Sequence, residues 1–323
     1  MNLRGTVAIT GASGYIGRHL VAQLSQLGEG PIKVLSRQQN RVSYPPEFNA
    51  GVNVIEGDLH VPESFRGFLE PECTVVHLAY LQSAGESENL AATANLLAAC
   101  KAANIKRLVH CSTAAVVGRV PDGTINENTP CRPVSGYGIA KLKIERAVAE
   151  AAEDFDVVIL RPTSVFGPDG GSLKKLVSDL TARKRLRNYL KSCLFNKRSM
   201  NLVHVTNVVA AIIFAARRED SFNGEIFIVS DDDDSKNVFS DVEQILMEHL
   251  EIENYRLPRL DISLAVIEVL LKVLGRDNIN PRCKYDVGKL LGLGFERPIK
   301  FEDGLKDYAD WYRSTTRSEV KPN

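Results

Sequence analysis

The stretch TGASGYIG, residues 10–17, decides the fold, because it joins a short apolar run to an amphipathic segment. Its three glycines are spaced three residues apart. In a strand–turn–helix unit the first glycine permits the tight turn, the second lets the backbone approach a pyrophosphate, and the third lets helix and strand pack closely. The helix start adds free N–H groups and a positive dipole end. The stretch therefore predicts a dinucleotide-binding loop, formed by Gly11, Ser13, Gly14, Tyr15, Ile16 and Gly17.

Apolar runs alternate with helical patterns through the first half of the chain. Runs rich in Val and Ile predict strands covered on both faces, and the segments 88–104 and 137–153 predict helices. Repeated strand–helix units favour a doubly wound parallel α/β sheet. We expect a dinucleotide-binding domain over 1–165, joined by the segment 200–230, and a smaller mixed α/β substrate-binding region over 166–323. The predicted strands are 6–10, 32–36, 52–58, 74–79, 107–113 and 156–162.

The composition is that of an ordinary globular protein, with 323 residues, 44% hydrophobic and 25% charged. Lys+Arg and Asp+Glu both number 40, so the charge balance gives no indication of a nucleic-acid partner. Six cysteines without a C-x-x-C pair favour free thiols in a reducing, cytoplasmic compartment, with no disulfide framework or metal site. The N-terminus shows no leader pattern.

Two segments of the second half have unusual compositions. The apolar stretch 262–274 contains Glu268 and Lys272 and is shorter than the ~20 residues that span a bilayer. We expect no membrane insertion and interpret this stretch as a core helix, or alternatively as a contact surface. The acidic run DDDD, 231–234, is interpreted as a solvated loop.

Tyr137 and Lys141, in the stretch YGIAK, lie four residues apart on a predicted helix and so share a face. A phenol titrates at about 10, and a neighbouring ammonium lowers its pKa. Such a tyrosine can exchange a proton with an alcohol or alkoxide during hydride transfer. The spacing alone is equally typical of a surface pair, but the glycine loop makes the catalytic interpretation the stronger one.

With these motifs the chain resembles the extended short-chain dehydrogenases/reductases, especially the nucleotide-sugar epimerase/dehydratase branch. The resemblance runs from about residue 5 to 312. It implies a Rossmann-type fold, an NAD(P)-dependent oxidoreductase and a homodimer formed through 88–104 and 137–153. The other motifs that carry it are GDL (57–59), HLA (77–79), CSTAAVVG (111–118), LRPTSVFGP (160–168) and EDGLKDYADWYR (302–313).

The resemblance also implies roles for individual residues. Tyr137 is the expected acid–base residue, Lys141 the residue that holds the nicotinamide ribose and lowers the pKa of the phenol, and Thr113 the hydroxyl that hydrogen-bonds the reacting oxygen. Ser112 is a second hydroxyl with a lower claim to substrate. The expected cofactor contacts beyond the loop are Asp58, Leu59, Ala79, Pro162 and Thr163.

Two further positions are expected to contact substrate. Ser164 stands where many relatives carry asparagine. Arg198 is the best candidate for binding a nucleotide diphosphate, although a solvent-facing basic turn explains it equally well.

The end of the second strand bears on the choice of cofactor. In the NAD-dependent enzymes that the chain resembles, an acidic residue there binds both hydroxyls of the adenosine ribose. Here Ser36 and Arg37 occupy that place. A hydroxyl and a guanidinium would accept a 2′-phosphate, which a carboxylate would repel. We therefore expect NADP, with NAD as the alternative and Arg41 as a possible aid.

The resemblance leaves three reactions to compare. Sugar dehydratases of this family carry an Asp–Glu pair where this chain has Ala114 and Ala115, so elimination lacks its acid–base groups. The expected function is NADPH-dependent reduction of a 4-keto group on a nucleotide-activated sugar, as in polysaccharide biosynthesis. The alternatives are a nucleotide-sugar 4-epimerase that retains NAD, a ketoreductase of non-sugar substrates and a non-catalytic dinucleotide-sensing protein.

Overall fold

The computed structural model describes residues 5–28, 30–37, 51–120, 123–182, 184–260, 262–274 and 280–319. The described chain forms two compact units, which are treated separately below. The first comprises the described parts of 1–116, 133–161 and 208–227, and the second those of 117–132, 162–207 and 228–323. Arg41 lies outside the described residues.

A seven-stranded sheet organises the first unit, with the strand order β10-β7-β5-β4-β1-β2-β3. The neighbouring pairs from β3 to β7 are parallel. The strands are β1 (Val7–Thr10), β2 (Ile32–Ser36), β3 (Val52–Glu56), β4 (Thr74–His77), β5 (Arg107–Cys111), β7 (Asp156–Pro162) and β10 (Glu225–Val229). From β1 the chain adds β2 and β3 towards one edge of the sheet, and from β4 it adds β5 and β7 towards the other edge. The direction of strand addition therefore reverses between β1 and β4. A crevice at such a reversal is where doubly wound sheets bind ligands.

Helices cover this sheet and supply its core. They are α1 (Tyr15–Gln26), α2 (Glu86–Ala103), α3 (Gly136–Glu150) and α6 (Val205–Arg217). Ala8, Val75 and Leu108 are buried in one core cluster together with Leu96 of α2 and Ile144 of α3. The predicted doubly wound α/β fold is confirmed.

A buried arginine ties the sheet to α6. The Arg107 guanidinium, 1% exposed, pairs with Asp156 and donates to the carbonyls of Ala215 at 2.8 Å and Asp220 at 2.7 Å. The last carbonyls of a helix have no partner within the helix. Arg107 therefore satisfies the end of α6 while fixing it to β5.

The second unit contains shorter elements. They are β6 (Thr124–Ile125), β8 (Ser164–Phe166), α4 (Lys174–Thr181), α5 (Arg185–Phe195), β9 (Leu202–His204), α7 (Phe239–His249), α8 (Leu264–Val273), β11 (Lys284–Tyr285), α9 (Gly288–Gly292) and α10 (Phe301–Glu319). Two-stranded parallel pairs join β8 to β9 and β6 to β11. Side chains of α4, α7 and α10 share a core with Phe166.

The interpretation of the acidic run 231–234 as a solvated loop is wrong for its first two residues. Asp231 and Asp232 are 1% and 2% exposed. Asp232 accepts hydrogen bonds from the side chains of Asn201 (2.6 Å) and Asn237 (2.9 Å) and from the backbone N–H of Tyr285 (2.8 Å). The carboxylate is buried because it joins backbone segments distant in sequence, which composition alone does not reveal.

The apolar stretch 262–274 is also not the core helix that we expected. Ile267 is buried in α8, whereas Val266, Val269 and Val273 are between 54% and 78% exposed. Within the described part of the chain, no helix combines the length and apolar character needed to cross a bilayer.

Candidate active site

The loop between β1 and α1 is shaped so that only glycine fits at two of its positions. Gly11 has φ +73°, and a Cβ added there would lie 2.6 Å from the Ala79 backbone nitrogen. A Cβ on Gly17 would lie 2.3 Å from the Gly11 carbonyl oxygen. The loop therefore packs against the end of β4 at Ala79, and the first turn of α1 packs on the loop itself.

The start of α1 has the features expected of an anion site. Its N-cap is Gly14, and no side-chain hydrogen bond from a described residue caps it. The first turn contains no acidic side chain that would oppose a phosphate. Ser13 and Gly14 are exposed, while Tyr15 and Ile16 are partly exposed. These features fit the pyrophosphate of a dinucleotide, and its binding at these residues stays a prediction.

The end of β2 presents Ser36, partly exposed, and Arg37, exposed. The parallel register places Glu56 of β3 beside Ser36. Sequence reasoning missed Glu56, because its proximity depends on the β2–β3 pairing. Among the described residues, a cation, Arg37, and a carboxylate, Glu56, therefore lie beside Ser36.

Asp58 and Leu59 follow directly after β3. The Asp58 carboxylate accepts a hydrogen bond from the His60 N–H at 2.9 Å, so its orientation is fixed by its own turn. Leu59 is 8% exposed, and its carbonyl accepts from Asn95 at 3.1 Å. These contacts hold both residues at the carboxyl edge of the sheet.

Tyr137 and Thr113 meet where α3 begins and β5 has ended. Ser135 caps α3 by accepting a hydrogen bond from the Gly138 N–H at 3.2 Å, which fixes the start of the helix. The Thr113 hydroxyl lies close enough to the Tyr137 phenol to lower its pKa, and it accepts a hydrogen bond from the Ala115 N–H at 3.2 Å. The Tyr80 ring packs edge-on to Tyr137, with ring centroids 5.1 Å apart. The structure thus brings together the two hydroxyls that the sequence assigned to acid–base chemistry.

Burial raises the pKa of Tyr137 to about 12, with a smaller rise from Cys111, although the neighbouring Thr113 hydroxyl acts in the opposite direction. The ring is nevertheless 45% exposed, so a ligand can reach it from one side. The phenol is therefore protonated throughout the neutral pH range.

The predicted lowering of the Tyr137 pKa by Lys141 is wrong. Lys141 is 3% exposed, and its ammonium donates to the Cys111 carbonyl at 2.9 Å. Its interactions are with the strand end rather than with the phenol one helical turn away, and burial lowers the pKa of Lys141.

Glu145, a second residue that sequence reasoning missed, continues this face of α3. It is 3% exposed, accepts from the Ser112 hydroxyl at 2.6 Å and forms a buried ion pair with Arg161. The spacing 137, 141, 145 was the available signal. The Ser112 hydroxyl is buried and donates to Glu145, and its contact with substrate stays a prediction.

Two buried histidines lie on neighbouring strands next to these groups. His77 and His110 are paired in register, with ring centroids 5.2 Å apart, and the Thr10 hydroxyl lies 2.7 Å from Nδ1 of His77. Burial lowers the pKa of His77 to about 3 and that of His110 well below its ordinary value. Both imidazoles are therefore neutral and contribute no positive charge to the sheet edge.

The remaining predicted residues belong to the second unit. Pro162 is buried, and Thr163 donates its N–H to the Val229 carbonyl at 3.1 Å. Ser164 is exposed, with its hydroxyl 3.2 Å from that of Ser172. The Arg198 guanidinium lies over the Phe195 ring, 5.7 Å from its centroid.

Comparisons with known proteins show the family and the fold of the chain. The model of the NAD dependent epimerase/dehydratase family matches residues 7–230. A 4-hydroxy-2-methyl-3-oxo-4-farnesyl-3,4-dihydroquinoline-1-oxide ketoreductase of Stigmatella aurantiaca is 30% identical over 239 residues, which cover 69% of this chain and 67% of that protein. A UDP-glucose 4-epimerase of Vibrio cholerae is 26% identical over 94% of each chain. A UDP-glucuronic acid 4-epimerase from Bacillus cereus, solved in complex with NAD, has the same fold, with a TM-score of 0.72 at 17% identity, covering 98% of this chain and 99% of the other.

Proposed function

Since the chain belongs to the NAD-dependent epimerase/dehydratase family and is an enzyme of the extended short-chain dehydrogenase/reductase type, we propose that it reduces a ketone with NADPH. The substrate that we propose is the 4-keto group of a nucleotide-activated sugar. The similar ketoreductase of Stigmatella aurantiaca supports the direction of the reaction, and the similar UDP-glucose epimerase supports the substrate class.

The observation that carries the choice of cofactor is the pair Ser36–Arg37 at the end of β2. An exposed guanidinium and a neighbouring hydroxyl can donate charge-assisted hydrogen bonds to a 2′-phosphate. NADP carries that phosphate and NAD does not.

The protonation state of Tyr137 supports reduction rather than alcohol oxidation. When bound, the dinucleotide supplies the hydride that reduces the carbonyl carbon. Tyr137 holds its proton at neutral pH and donates it to the developing alkoxide oxygen. Thr113, which lies beside Tyr137, orients that oxygen. Lys141 fixes α3 to the end of β5 and offers its remaining N–H groups to the ribose.

Elimination of water has little support at this site. Ala114 and Ala115 occupy a short 3₁₀ turn directly after Thr113. Neither side chain can transfer a proton, so the turn lacks the carboxyl groups that dehydration needs.

The second candidate function is a nucleotide-sugar 4-epimerase that retains NAD. Glu56 favours it, because a carboxylate beside Ser36 could accept hydrogen bonds from a ribose hydroxyl and would repel a 2′-phosphate. The similar Vibrio cholerae epimerase also matches 94% of this chain.

Nucleotide binding separates the two candidates. Binding of NADPH and NADH to the purified chain is measured by nicotinamide fluorescence, for wild type, Arg37→Ala, Glu56→Gln and the exposed control Arg66→Ala. A charged hydrogen bond is worth about 1.5–3 kcal/mol, so Arg37→Ala should weaken NADPH binding by about 10–150-fold and leave NADH nearly unchanged. Glu56→Gln should tighten NADPH binding, and Arg66→Ala should alter neither nucleotide.

Two results would count against the reductase. Equal losses for both nucleotides in Arg37→Ala would remove the argument for NADPH. NAD that stays bound through purification, with interconversion of sugar epimers and no net oxidation of NADPH, would establish the epimerase instead.

We also propose that the enzyme is a homodimer formed through α2 and α3. Ala91, Ala94 and Ala98 form an exposed stripe of small side chains on α2. Small side chains permit close approach of a second helix pair.

A further inference from the structure

Four leucines of the second unit are unusually exposed. Their exposed fractions lie between 58% and 73%, whereas Leu27, Val61 and Val134 elsewhere in the described chain are only 43–46% exposed. Leu186 and Leu190 are four residues apart on α5 and so share a face. The other two, Leu257 and Leu260, follow α7.

The segment that carries Leu257 and Leu260 is packed on α5. The Tyr189 hydroxyl donates to the Pro258 carbonyl at 2.8 Å. Arg259 donates to the Ser192 hydroxyl at 2.6 Å, and the Leu260 N–H lies 3.3 Å from Cys193 Sγ. The four leucines therefore belong to one continuous surface rather than to separate loops.

Helix α8 follows this segment and carries a second exposed apolar face. Val266, Val269 and Val273 recur at helical spacing and are 54–78% exposed, while Ile267 on another face is buried. A cavity of about 550 Å³ lies at the start of α8, lined by Lys197, Ile267 and Arg282 among others. The valine face of α8 is thus turned away from the core of the unit.

The charge around the four leucines is positive. Residues 184–200 contain no acidic residue and six basic ones, Lys184, Arg185, Arg187, Lys191, Lys197 and Arg198. Asp179 pairs with Arg187 and Lys191, and Glu253 pairs with Arg185, which offsets part of this charge. Arg256, next to Leu257, is exposed and adds to it.

We propose that the surface formed by α5, the segment 256–260 and α8, hereafter the leucine–valine surface, binds peripherally to membranes that contain anionic phospholipids. Exposed leucines and valines can enter the boundary between headgroups and acyl chains, and the surrounding cations are attracted to anionic headgroups. At ten residues α8 is about 15 Å long, so it lies in the interface and does not cross the bilayer.

The positive charge favours lipid over a second copy of the chain. A two-fold contact brings the same surface of both copies together, so the cations of α5 would face the cations of the partner copy. Like charges placed opposite each other oppose association. An anionic bilayer has no such conflict.

Vesicle flotation with the full chain tests this proposal. Wild type should bind vesicles of phosphatidylcholine with about 30% phosphatidylglycerol, and binding should fall sharply on pure phosphatidylcholine or in about 0.5 M salt. Leu186→Ser with Leu190→Ser, and separately Val266→Ser with Val269→Ser, should each lower the partition coefficient by about tenfold or more. The matched control is Leu27→Ser with Val61→Ser, exposed apolar residues of the first unit, which should bind as wild type does.

The other outcomes overturn the proposal. The proposal fails if wild type does not bind the anionic vesicles. It also fails if both serine pairs leave vesicle binding unchanged. If light scattering shows that Leu186→Ser with Leu190→Ser lowers the oligomer mass while vesicle binding is absent, the surface contacts a second copy. Circular dichroism and NADPH binding, which does not involve these residues, show that each variant is folded.

Discussion

The pH dependence of ketone reduction tests the chemistry assigned to Tyr137 most directly. With its pKa raised to about 12, the phenol is ionised to about one part in a thousand at pH 9. The single-turnover rate of NADPH oxidation should therefore change less than about twofold between pH 7 and pH 10. Replacing the proton donor, Tyr137→Phe, should lower that rate by about 10²–10⁴-fold at every pH in this range.

A neighbouring tyrosine provides the control. Tyr80 packs edge-on to Tyr137 but is assigned no proton, so Tyr80→Phe should change the rate only a few-fold. If the wild-type rate instead declines about tenfold per pH unit above an apparent pKa near 8, the phenol is acidified in the working enzyme. That result would show that Lys141 does not stay on the Cys111 carbonyl during turnover. It would also show that Lys141 lowers the pKa of Tyr137, as the sequence predicted.

Two further predictions concern buried charges. Glu145→Gln leaves the Arg161 guanidinium without its buried partner, so it should lower the free energy of unfolding by about 3–5 kcal/mol in denaturant titration. The control Glu150→Gln, at an exposed position of the same helix, should have little effect. A loss below about 1 kcal/mol for Glu145→Gln would contradict the buried pair. Burial raises the pKa of Asp232 from 3.8 to about 6, so the folded state binds its proton first, and this favours folding increasingly as pH falls through 6. The stability of wild type relative to Asp232→Asn should rise by about 1.4 kcal/mol from near pH 7.5 to near pH 5. A difference that does not change over this range would show that the Asp232 carboxylate is solvated.

The features that the sequence predicted well depend on local patterns. Val7–Thr10 and Ile32–Ser36 are strands because short runs of buried apolar residues end at turn residues, and both properties are visible within ten residues. The glycine loop is equally local, since the space at Gly11 and Gly17 is limited by the backbone of the loop and of the next strand. Tyr137 and Thr113 could both be predicted because each belongs to a motif at the end of a predicted element. These two motifs lie at one edge of the sheet.

The features that were missed depend on contacts between residues far apart in sequence. Glu56 lies beside Ser36 only through the β2–β3 register, and Asp232 is buried because it meets Tyr285, 53 residues away. The stretch 262–274 has the composition of a core helix, but composition does not show which elements pack against it. Each error therefore comes from treating burial as a local property, although it is decided by which elements pack together.

One face of α3 shows why burial also decides the chemistry. Tyr137, Lys141 and Glu145 follow one another at four-residue spacing, and exposure falls from 45% at Tyr137 to 3% at each of the other two. The same helix therefore holds a protonated phenol where ligand can reach it, an ammonium on the Cys111 carbonyl, and a carboxylate paired with Arg161. The deeper two charges are held by partners on β5 and β7, so they hold the helix start in place without competing for the proton of Tyr137. The Tyr–Lys motif is thus sufficient to identify the candidate site from the sequence. The position of the phenol also depends on the buried pair of Glu145 and Arg161, which lies one turn beyond Lys141 on α3.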